Sequence, residues 1–260
     1  MSEPTVTMIE MDEGNYNDLL RCLLNLKEIC NDVDIRQGVI RQRSNDLTAV
    51  FEIDVQPILN DSNLPIANLK KKLDLLRTFA GQAVSIKIVE ADTESESYYV
   101  ISDPQSSIKI NFPSLDFLDN KYMTEEERDN IFDLDEGNLM LQTNLSGVLT
   151  ERINVITTNF NTPAIRVKFE GDEASITAAT QSKDQEAKFV NGIDTNVNFD
   201  GKYFSNLSVI PFSIEHSEDL EFKMYKDQNQ NISLNKIKTQ LGPAEINIFS
   251  RSTIVEDDED

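Results

Sequence analysis

The alternation of apolar and polar residues along the chain predicts a protein built mainly from short strands. Period-two alternation favours strands. In the first half of the chain it marks the segments "VTMIEM", "DVDIRQGVIRQR", "LTAVFEIDV", "AVSIKIVE", "SYYVIS" and "SSIKINFP". In the second half it marks "NLMLQ", "AIRVKFEGDEASITAAT", "AKFV", "TNVNF", "SIEH", "LEFKMY", "NISLNKI" and "AEINIFSR".

Four segments between these strands are predicted as helices. "YNDLLRCLLNLKEIC" and "TNLSGVLTERINVI" have helical apolar spacing, with Asn15 and Asn144 as their expected N-caps. Two shorter candidates are "NLKKKLDLLRTFAG" and "DGKYFSNLSVIP", the second ended by Pro211. Each half therefore has the same order: strand, helix, several strands, helix, several strands.

An acidic segment of weak periodicity separates the two halves. Residues 113–136 have the texture of a linker, and their apolar residues predict that it lies on the protein surface. The expected organisation is a first domain at residues 1–118, a linker at 119–136 and a second domain at 137–255. An acidic tail follows at 256–260.

Composition narrows the class of protein. The chain has 260 residues, 46 of them acidic and 24 basic, and a formal net charge of −22. Proteins that simply adhere to nucleic acid usually have a basic surplus, so any DNA contact here requires a local basic strip. No apolar run is long enough to span a membrane, and the N-terminus has no signal-peptide pattern.

The cysteines indicate a reducing compartment. Cys22 and Cys30 are expected in one helix, about 12 Å apart along its axis, which is too far for a disulfide within that helix. They are interpreted as reduced core residues of a cytoplasmic protein. A nuclear location is expected for a eukaryotic source, and the host cytoplasm for a viral or phage source.

Residues for catalysis are scarce. The single histidine, His216, is surrounded by acids, where a solvated or capping role is commoner than a catalytic one. The chain has no Gly-rich phosphate loop and no CxxC, HExxH or GxSxG motif. The acids of "TEEERD" lack the spacing of a calcium loop. We therefore expect a binding or scaffolding protein with no metal and no cofactor.

The segment "NLKKKLDLLRTFAG" concentrates positive charge within this acidic chain. At about 100° per residue, one side of the predicted helix holds the apolar residues Ile66, Leu69, Leu73, Leu76 and Ala80. Lys71 points nearly opposite this stripe, while Lys70 and Arg77 share one flank. Lys72 lies on the other flank, where its stem can pack while the ammonium reaches water. Taken alone, such a segment is most often a solvated surface helix.

In order and spacing, the chain resembles the two-domain DNA polymerase sliding clamps, such as proliferating cell nuclear antigen and the phage clamps. Three stretches carry the resemblance in addition to the linker. They are "DVDIRQGVIRQRSNDLTAVFEIDV", "LPIANLKKKLDLLRTFAGQAVSIKI" and "NFDGKYFSNLSVIPFSIEHSEDLEFKMYKDQNQNISLNKI". The linker is more acidic than is typical of the family, and the second helix expected in domain two has only one lysine.

The resemblance implies an α+β fold of two tandem clamp domains. Three chains would form a head-to-tail homotrimeric ring, with antiparallel sheets outside and helices lining a central hole around duplex DNA. The ring would tether DNA polymerase without catalysis, and an ATP-driven clamp loader would open it. The DNA-facing bases would be Lys70, Lys71, Lys72, Arg77, Arg21, Lys202 and Arg152.

The resemblance also implies a pocket for short peptides of polymerase and other clients. Its expected residues are Leu47, Phe117, Leu118, Ile131, Phe132, Pro243 and Ile254, although ordinary core roles fit them equally well. The expected ring interface uses edge strands near "SSIKINF" and near "AIRVKF" or "ITAAT". Two alternatives remain open: a virion structural or assembly protein without DNA contact, and a monomeric processivity factor of the same fold.

Overall fold

The computed structural model divides the chain into two compact units. It describes residues 5–27, 29–45, 49–90, 97–112, 122–162, 164–170, 173–179, 186–189, 202–208, 214–215, 219–227 and 232–256. Unit 1 comprises Met1–Leu47, Phe51–Thr124 and Leu241–Glu245, and unit 2 comprises Thr48–Val50, Glu125–Gln240 and Ile246–Asp260. The domain limits given above stay predictions.

Where the structure describes it, unit 1 combines two strand ladders with three helices. Its strands are β1 (Thr5–Met11), β2 (Val33–Arg36), β3 (Val39–Arg43), β4 (Ala49–Asp54), β5 (Leu64–Ile66), β6 (Val84–Glu90), β7 (Tyr98–Ser102) and β8 (Ser107–Asn111). Its helices are α1 (Glu13–Leu26), the short α2 (Gln56–Leu59) and α3 (Leu69–Leu76). One sheet has the order β1-β6-β7-β8, and the second ladder has the order β4-β3-β2-β5.

The β2–β3 hairpin shows how local sequence sets the register. Arg36 pairs with Val39, so Gln37 and Gly38 form a two-residue turn, and both have positive φ. Right-handed strand twist favours such turns with two positive-φ residues. A Cβ at Gly38 would lie 2.3 Å from the Asn60 carbonyl oxygen, so only glycine fits there.

The N-cap of helix α1 lies three residues before the predicted one. Its N-cap is Asp12, whose carboxylate accepts a hydrogen bond from the Asn15 backbone N–H at 2.8 Å. The prediction of Asn15 as N-cap is therefore wrong, because Asp12 already satisfies that amide. The helix ends at Leu26, so Cys30 lies beyond it; Cys22 and Cys30 are nevertheless both buried thiols.

Unit 2 repeats much of this arrangement. It contains the short helix α4 (Glu125–Ile131), a 3-10 turn (Glu136–Asn138) and the long helix α5 (Gly147–Phe160). Its strands are β9 (Leu139–Leu145), β10 (Ala164–Glu170), β11 (Glu173–Ala179), β12 (Glu186–Phe189), β13 (Lys202–Ser208), β14 (Leu220–Lys226), β15 (Ile232–Leu241) and β16 (Ala244–Glu256). The ladders run β12-β11-β10-β13-β16 and β9-β14-β15-β16.

Helix α5 also has a different cap from the predicted one. Ser146 accepts the Leu149 backbone N–H at 3.4 Å, while Asn144 is an exposed residue within β9. The helix prediction itself is confirmed, and Leu149 and Ile153 are buried on its inner side. The error arises because Asn144 and Ser146 are both good capping residues two positions apart.

The predicted helix in "DGKYFSNLSVIP" is wrong. Lys202–Ser208 forms strand β13, which pairs with β10 along its whole length. It also pairs with the end of β16. Tyr203 and Phe204 belong to residue types that favour strands, and pairing along the whole segment outweighs the helix propensity of so short a stretch.

The equivalence of β13 with β5 explains this error. In unit 1, β2 pairs with β3 and β5, and in unit 2 β10 pairs with β11 and β13. Strand β13 therefore corresponds to β5 of unit 1, which directly precedes helix α3 in the chain. The sequence between β13 and β14, residues 209–219, contains no lysine and no arginine.

The connecting segment is more ordered than a bare linker where the structure describes it. Tyr122 forms an antiparallel bridge with Gln42, and the Met123 backbone N–H donates to the Arg41 carbonyl at 2.9 Å. Helix α4 follows at once. Met123 and Phe132 are buried, which confirms that this part of the segment lies on the protein. Residues 113–121 lie outside the described part.

Candidate nucleic-acid interface and connecting segment

Helix α3 presents one buried side and one basic side. Leu69, Leu73 and Leu76 are buried as predicted. In α3 and the 3-10 turn that follows it, Lys70, Lys71 and Arg77 are exposed, and Asp74 is the one acid on the same surface. This side of the helix therefore carries a local positive charge on an acidic protein.

Lys72 differs from the other bases of α3. Its ammonium donates to the Asn111 carbonyl at the end of β8, at 2.9 Å, and lies 5.9 Å from the centre of the Tyr99 ring. Burial lowers the pKa of Lys72, against an opposing effect of the Asp32 carboxylate. Lys72 thus ties α3 to the sheet of its own unit, and its predicted DNA contact remains only a prediction.

Two hydrogen bonds fix α3 against α1. The Tyr16 hydroxyl donates to the Leu76 carbonyl at 2.7 Å, and the Gly81 N–H donates to Asn17 Oδ1 at 3.0 Å. Carbonyls at a helix C-terminus lack intrahelical partners, and Tyr16 supplies one. One buried and one exposed hydrogen bond therefore fix the position of α3 relative to α1.

The remaining predicted DNA-facing residues are less well grouped. Arg21 lies on α1 and forms an ion pair with Asp18 at 3.6 Å. Arg152 is exposed on α5, next to the exposed acid Glu151. Lys202 is the first residue of β13 and not part of a helix, which corrects its predicted setting.

The predicted partner pocket is only partly described. Leu47, Phe117 and Leu118 lie outside the described residues. Pro243 lies in the turn between β15 and β16, and Ile254 lies within β16. Phe132 is buried against Phe249, with ring centres 5.6 Å apart.

Arginines on each unit hold the connecting segment, and the sequence alone did not single them out. In unit 1, the guanidinium of Arg36 lies 4.6 Å from the Tyr122 ring centre, and Arg41 forms an ion pair with Glu52. In unit 2, Arg251 donates to the Ile131 carbonyl and lies 5.7 Å from the centre of the Phe132 ring. No local pattern of the sequence marked these arginines, because their partners Tyr122 and Ile131 lie about 80 to 120 residues away along the chain.

The predicted edge strands need one correction. Among the described strands, β8 pairs only with β7, so "SSIKINF" is an edge. Strand β10 pairs on both sides, and so does β11, so neither "AIRVKF" nor "ITAAT" is an edge. The outer strand of that ladder, in the described part of the chain, is β12.

In the described residues, no three or more His, Cys, Asp or Glu side chains are grouped to hold a metal ion. The helices of the same residues include none with the length and apolar character needed to cross a membrane.

Solved structures match this fold along nearly the whole chain. The PCNA2–PCNA3 complex from Sulfolobus tokodaii is 13% identical, with a TM-score of 0.59, over 95% of this chain and 99% of that one. Proliferating cellular nuclear antigen from Entamoeba histolytica is 12% identical, with a TM-score of 0.60, over 97% and 100%. A. fulgidus PCNA bound to the C-terminal region of FEN-1 is 10% identical, with a TM-score of 0.62, over 97% and 100%.

No protein-family model and no curated protein matches the sequence. The chain has the sliding-clamp fold, with the α+β composition expected from the sequence. At 10–13% identity this likeness concerns the fold, and function has to be argued from the residues of this chain.

Proposed function

We propose that this protein is a DNA polymerase processivity factor that works as a sliding clamp. Three chains form a head-to-tail ring around duplex DNA, tether polymerase and other replication proteins, and are opened by a clamp loader. The ring performs no catalysis. The observation that carries the proposal is the exposed basic side of α3, with Lys71 and Arg77, on a sliding-clamp fold of net charge −22.

The charge distribution suits this role. A ring must hold DNA without fixing it at one sequence, and contacts between lysine or arginine and phosphate are independent of sequence. An acidic exterior repels DNA from the remaining surface, while a basic strip attracts it locally. A virion structural protein without DNA contact would not need this strip.

Solution mass separates the ring from a monomeric processivity factor of the same fold. Light scattering is expected to give three times the chain mass of 29.5 kDa. A stable monomer at micromolar concentration would contradict the ring and favour the monomeric alternative, which uses the same basic side of α3.

Charge reversal tests the DNA-facing assignment. Lys71→Glu combined with Arg77→Glu is expected to reduce processive synthesis about tenfold or more in a reaction with the cognate polymerase and loader, because two phosphate contacts become repulsive. The matched control is Lys87→Glu with Arg166→Glu, which reverses one lysine and one arginine exposed on strands. The control is expected to retain activity within about twofold.

Thermal melting of both double variants verifies that they are folded. If the α3 variant supports processive synthesis as well as the strand variant does, α3 does not contact DNA. Partial recovery of processive synthesis at lower salt is a second check, since weaker screening strengthens the remaining contacts with phosphate.

A further inference from the structure

A polar cavity on unit 2 is separate from the basic side of α3. It has a volume of about 340 Å³ and lies between the 3-10 turn at Glu136–Asn138 and the face of β14 and β15. Its polar lining consists of Lys223, Lys236, Lys238, Glu136, Glu221 and Tyr225, with Leu134 as an apolar wall. We call it the lysine pocket.

Strand register places two of these lysines directly opposite each other. In the β14–β15 pair, Lys223 faces Lys236, and Glu221 faces Lys238. Like charges directly opposite on an antiparallel pair are destabilising. A nearby anion would offset this repulsion, so the pair indicates a site for a negative group.

The carboxylates of the pocket compensate only part of this charge. Lys223 lies 3.3 Å from Glu136 and 3.8 Å from Glu221. Tyr225 donates its hydroxyl to the same Glu136 oxygen at 2.9 Å. Lys236 instead lies 5.8 Å from the centre of the Phe249 ring. With three lysines and two glutamates, the lining carries one net positive charge.

Two arginines lie over the rings of Phe249 and its neighbour Phe132. Arg128 lies 5.3 Å from the same ring centre, and Arg251 lies 5.7 Å from the centre of the adjoining Phe132 ring. Arg128 is already paired with Glu125 at 3.3 Å and with Asp129 at 2.7 Å, whereas Arg251 donates to the Ile131 carbonyl. The charge of Arg128 is therefore largely balanced, and Arg251 is the arginine that adds positive charge beside the pocket.

The chemistry favours a carboxylate as the occupant. One net positive charge matches one carboxylate, whereas a doubly charged phosphate would also be repelled by Glu136 and Glu221. The pocket has a single apolar wall and offers little to an aromatic ligand. Lysines are point charges without fixed fork geometry, so they suit a carboxylate presented by a flexible peptide.

We propose that the lysine pocket binds an acidic side chain of a partner protein. One carboxylate held by half-exposed lysines binds weakly, so useful affinity requires a further contact from the same peptide to Arg251 beside Phe132. This inference does not depend on the ring or on DNA binding.

The test uses a fluorescein-labelled hexaglutamate peptide and a hexaglutamine peptide with the same label. Fluorescence anisotropy with the full chain at about 0.1 M salt is expected to show binding of the glutamate peptide only. Lys236→Glu is expected to weaken binding of the hexaglutamate peptide about fivefold or more, because the new carboxylate occupies the place of the peptide carboxylate in the pocket. Lys87→Glu, the same change on an exposed strand lysine of unit 1, should stay within about twofold.

Stability gives an independent readout. Lys236→Glu puts opposite charges face to face on β14 and β15, so its melting temperature is expected to equal or exceed that of the wild type. A lysine that serves only to stabilise the sheet would instead give a lower melting temperature, and that result would overturn the proposal.

Three other outcomes would also overturn it. They are absence of hexaglutamate binding by the wild type, equal binding of hexaglutamine, and equal losses in the Lys236→Glu and Lys87→Glu proteins. Competition with acetate and with inorganic phosphate distinguishes the anions. Displacement by phosphate at much lower concentration than by acetate would assign the pocket to a phosphate group and reject the carboxylate.

Discussion

Two buried tyrosines in unit 1 differ in what their hydroxyls contact. The Tyr16 hydroxyl donates to the Leu76 carbonyl at the end of α3. Among the described residues, no group forms a hydrogen bond with the Tyr99 hydroxyl. The first hydroxyl therefore stabilises the position of the basic helix, while the second is buried at a cost.

Tyr16→Phe is expected to lower the free energy of unfolding by about 1–2 kcal/mol, because it leaves a helix C-terminal carbonyl without its partner. Tyr99→Phe is the matched control, and its free energy of unfolding should equal or exceed that of the wild type. Denaturant unfolding of the three proteins measures both. A larger loss for Tyr99→Phe than for Tyr16→Phe would contradict the assignment.

The same tyrosines give a pH dependence of defined sign. Burial raises the pKa of Tyr16 and of Tyr99 above the ordinary value of 10.0. Their contribution to stability is complete below pH 10 and is lost as the pH rises through the higher folded-state pKa values. Removing both hydroxyls should therefore reduce the loss of stability above pH 10, measured by denaturant unfolding at several pH values.

Residue-level prediction along α3 worked as far as the α-helical spacing continued. Leu69, Leu73 and Leu76 were predicted on the buried side and are buried. Ala80 was also placed there, but it is exposed, and Phe79 is buried instead. The reason is a 3-10 turn at Arg77–Phe79. Three residues complete such a turn, so Phe79 lies on the same side as Leu76.

At the scale of elements, helix caps provide the sharpest comparison of predicted and observed structure. The observed caps are Asp12 for α1 and Ser146 for α5, and the predicted ones were Asn15 and Asn144. Helix existence followed from apolar periodicity, but the exact cap depends on which side chain reaches an amide, and several capping residues stood close together.

Cap replacement tests this difference. Asp12→Ala is expected to lower the free energy of unfolding by about 1 kcal/mol, and Ser146→Ala by less, because its 3.4 Å hydrogen bond is longer than the 2.8 Å bond of Asp12. Asn15→Ala and Asn144→Ala are the matched controls and should change it by less than about 0.5 kcal/mol. Denaturant unfolding measures all four.

Control variants as destabilising as the cap variants would mean that the asparagines also serve the helix ends.

Strand β13 shows a harder limit of element prediction. Its place in the sheet depends on pairing with β10, more than thirty residues earlier, and local spacing carries no record of such a partner.

At the scale of the whole molecule, order and spacing of elements were enough to predict the clamp fold, although individual helices were misplaced. The prediction of the fold survives such errors because each half repeats the same strand pairing. Strand β1 pairs with β6 in unit 1, and β9 pairs with β14 in unit 2. The exposed basic side of α3 was predictable from the sequence, whereas the lysine pocket was not, since it depends on the β14–β15 register.

The charge asymmetry makes salt act in opposite directions on the two proposed interactions. Each chain has a formal charge of −22, so association of three chains brings like charges together, and screening by salt should favour it. The contact with DNA gains from released counterions, and salt should weaken it. Between about 50 and 300 mM salt, we expect the trimeric fraction in sedimentation to rise while DNA retention falls.

The double variant Lys71→Glu and Arg77→Glu separates the two effects. It should lose DNA retention, and most of the salt dependence of that retention. Its trimeric fraction should stay within about twofold of the wild type at each salt concentration. Dissociation of the wild-type oligomer by added salt would contradict the expectation, because it would require an interface held mainly by ion pairs.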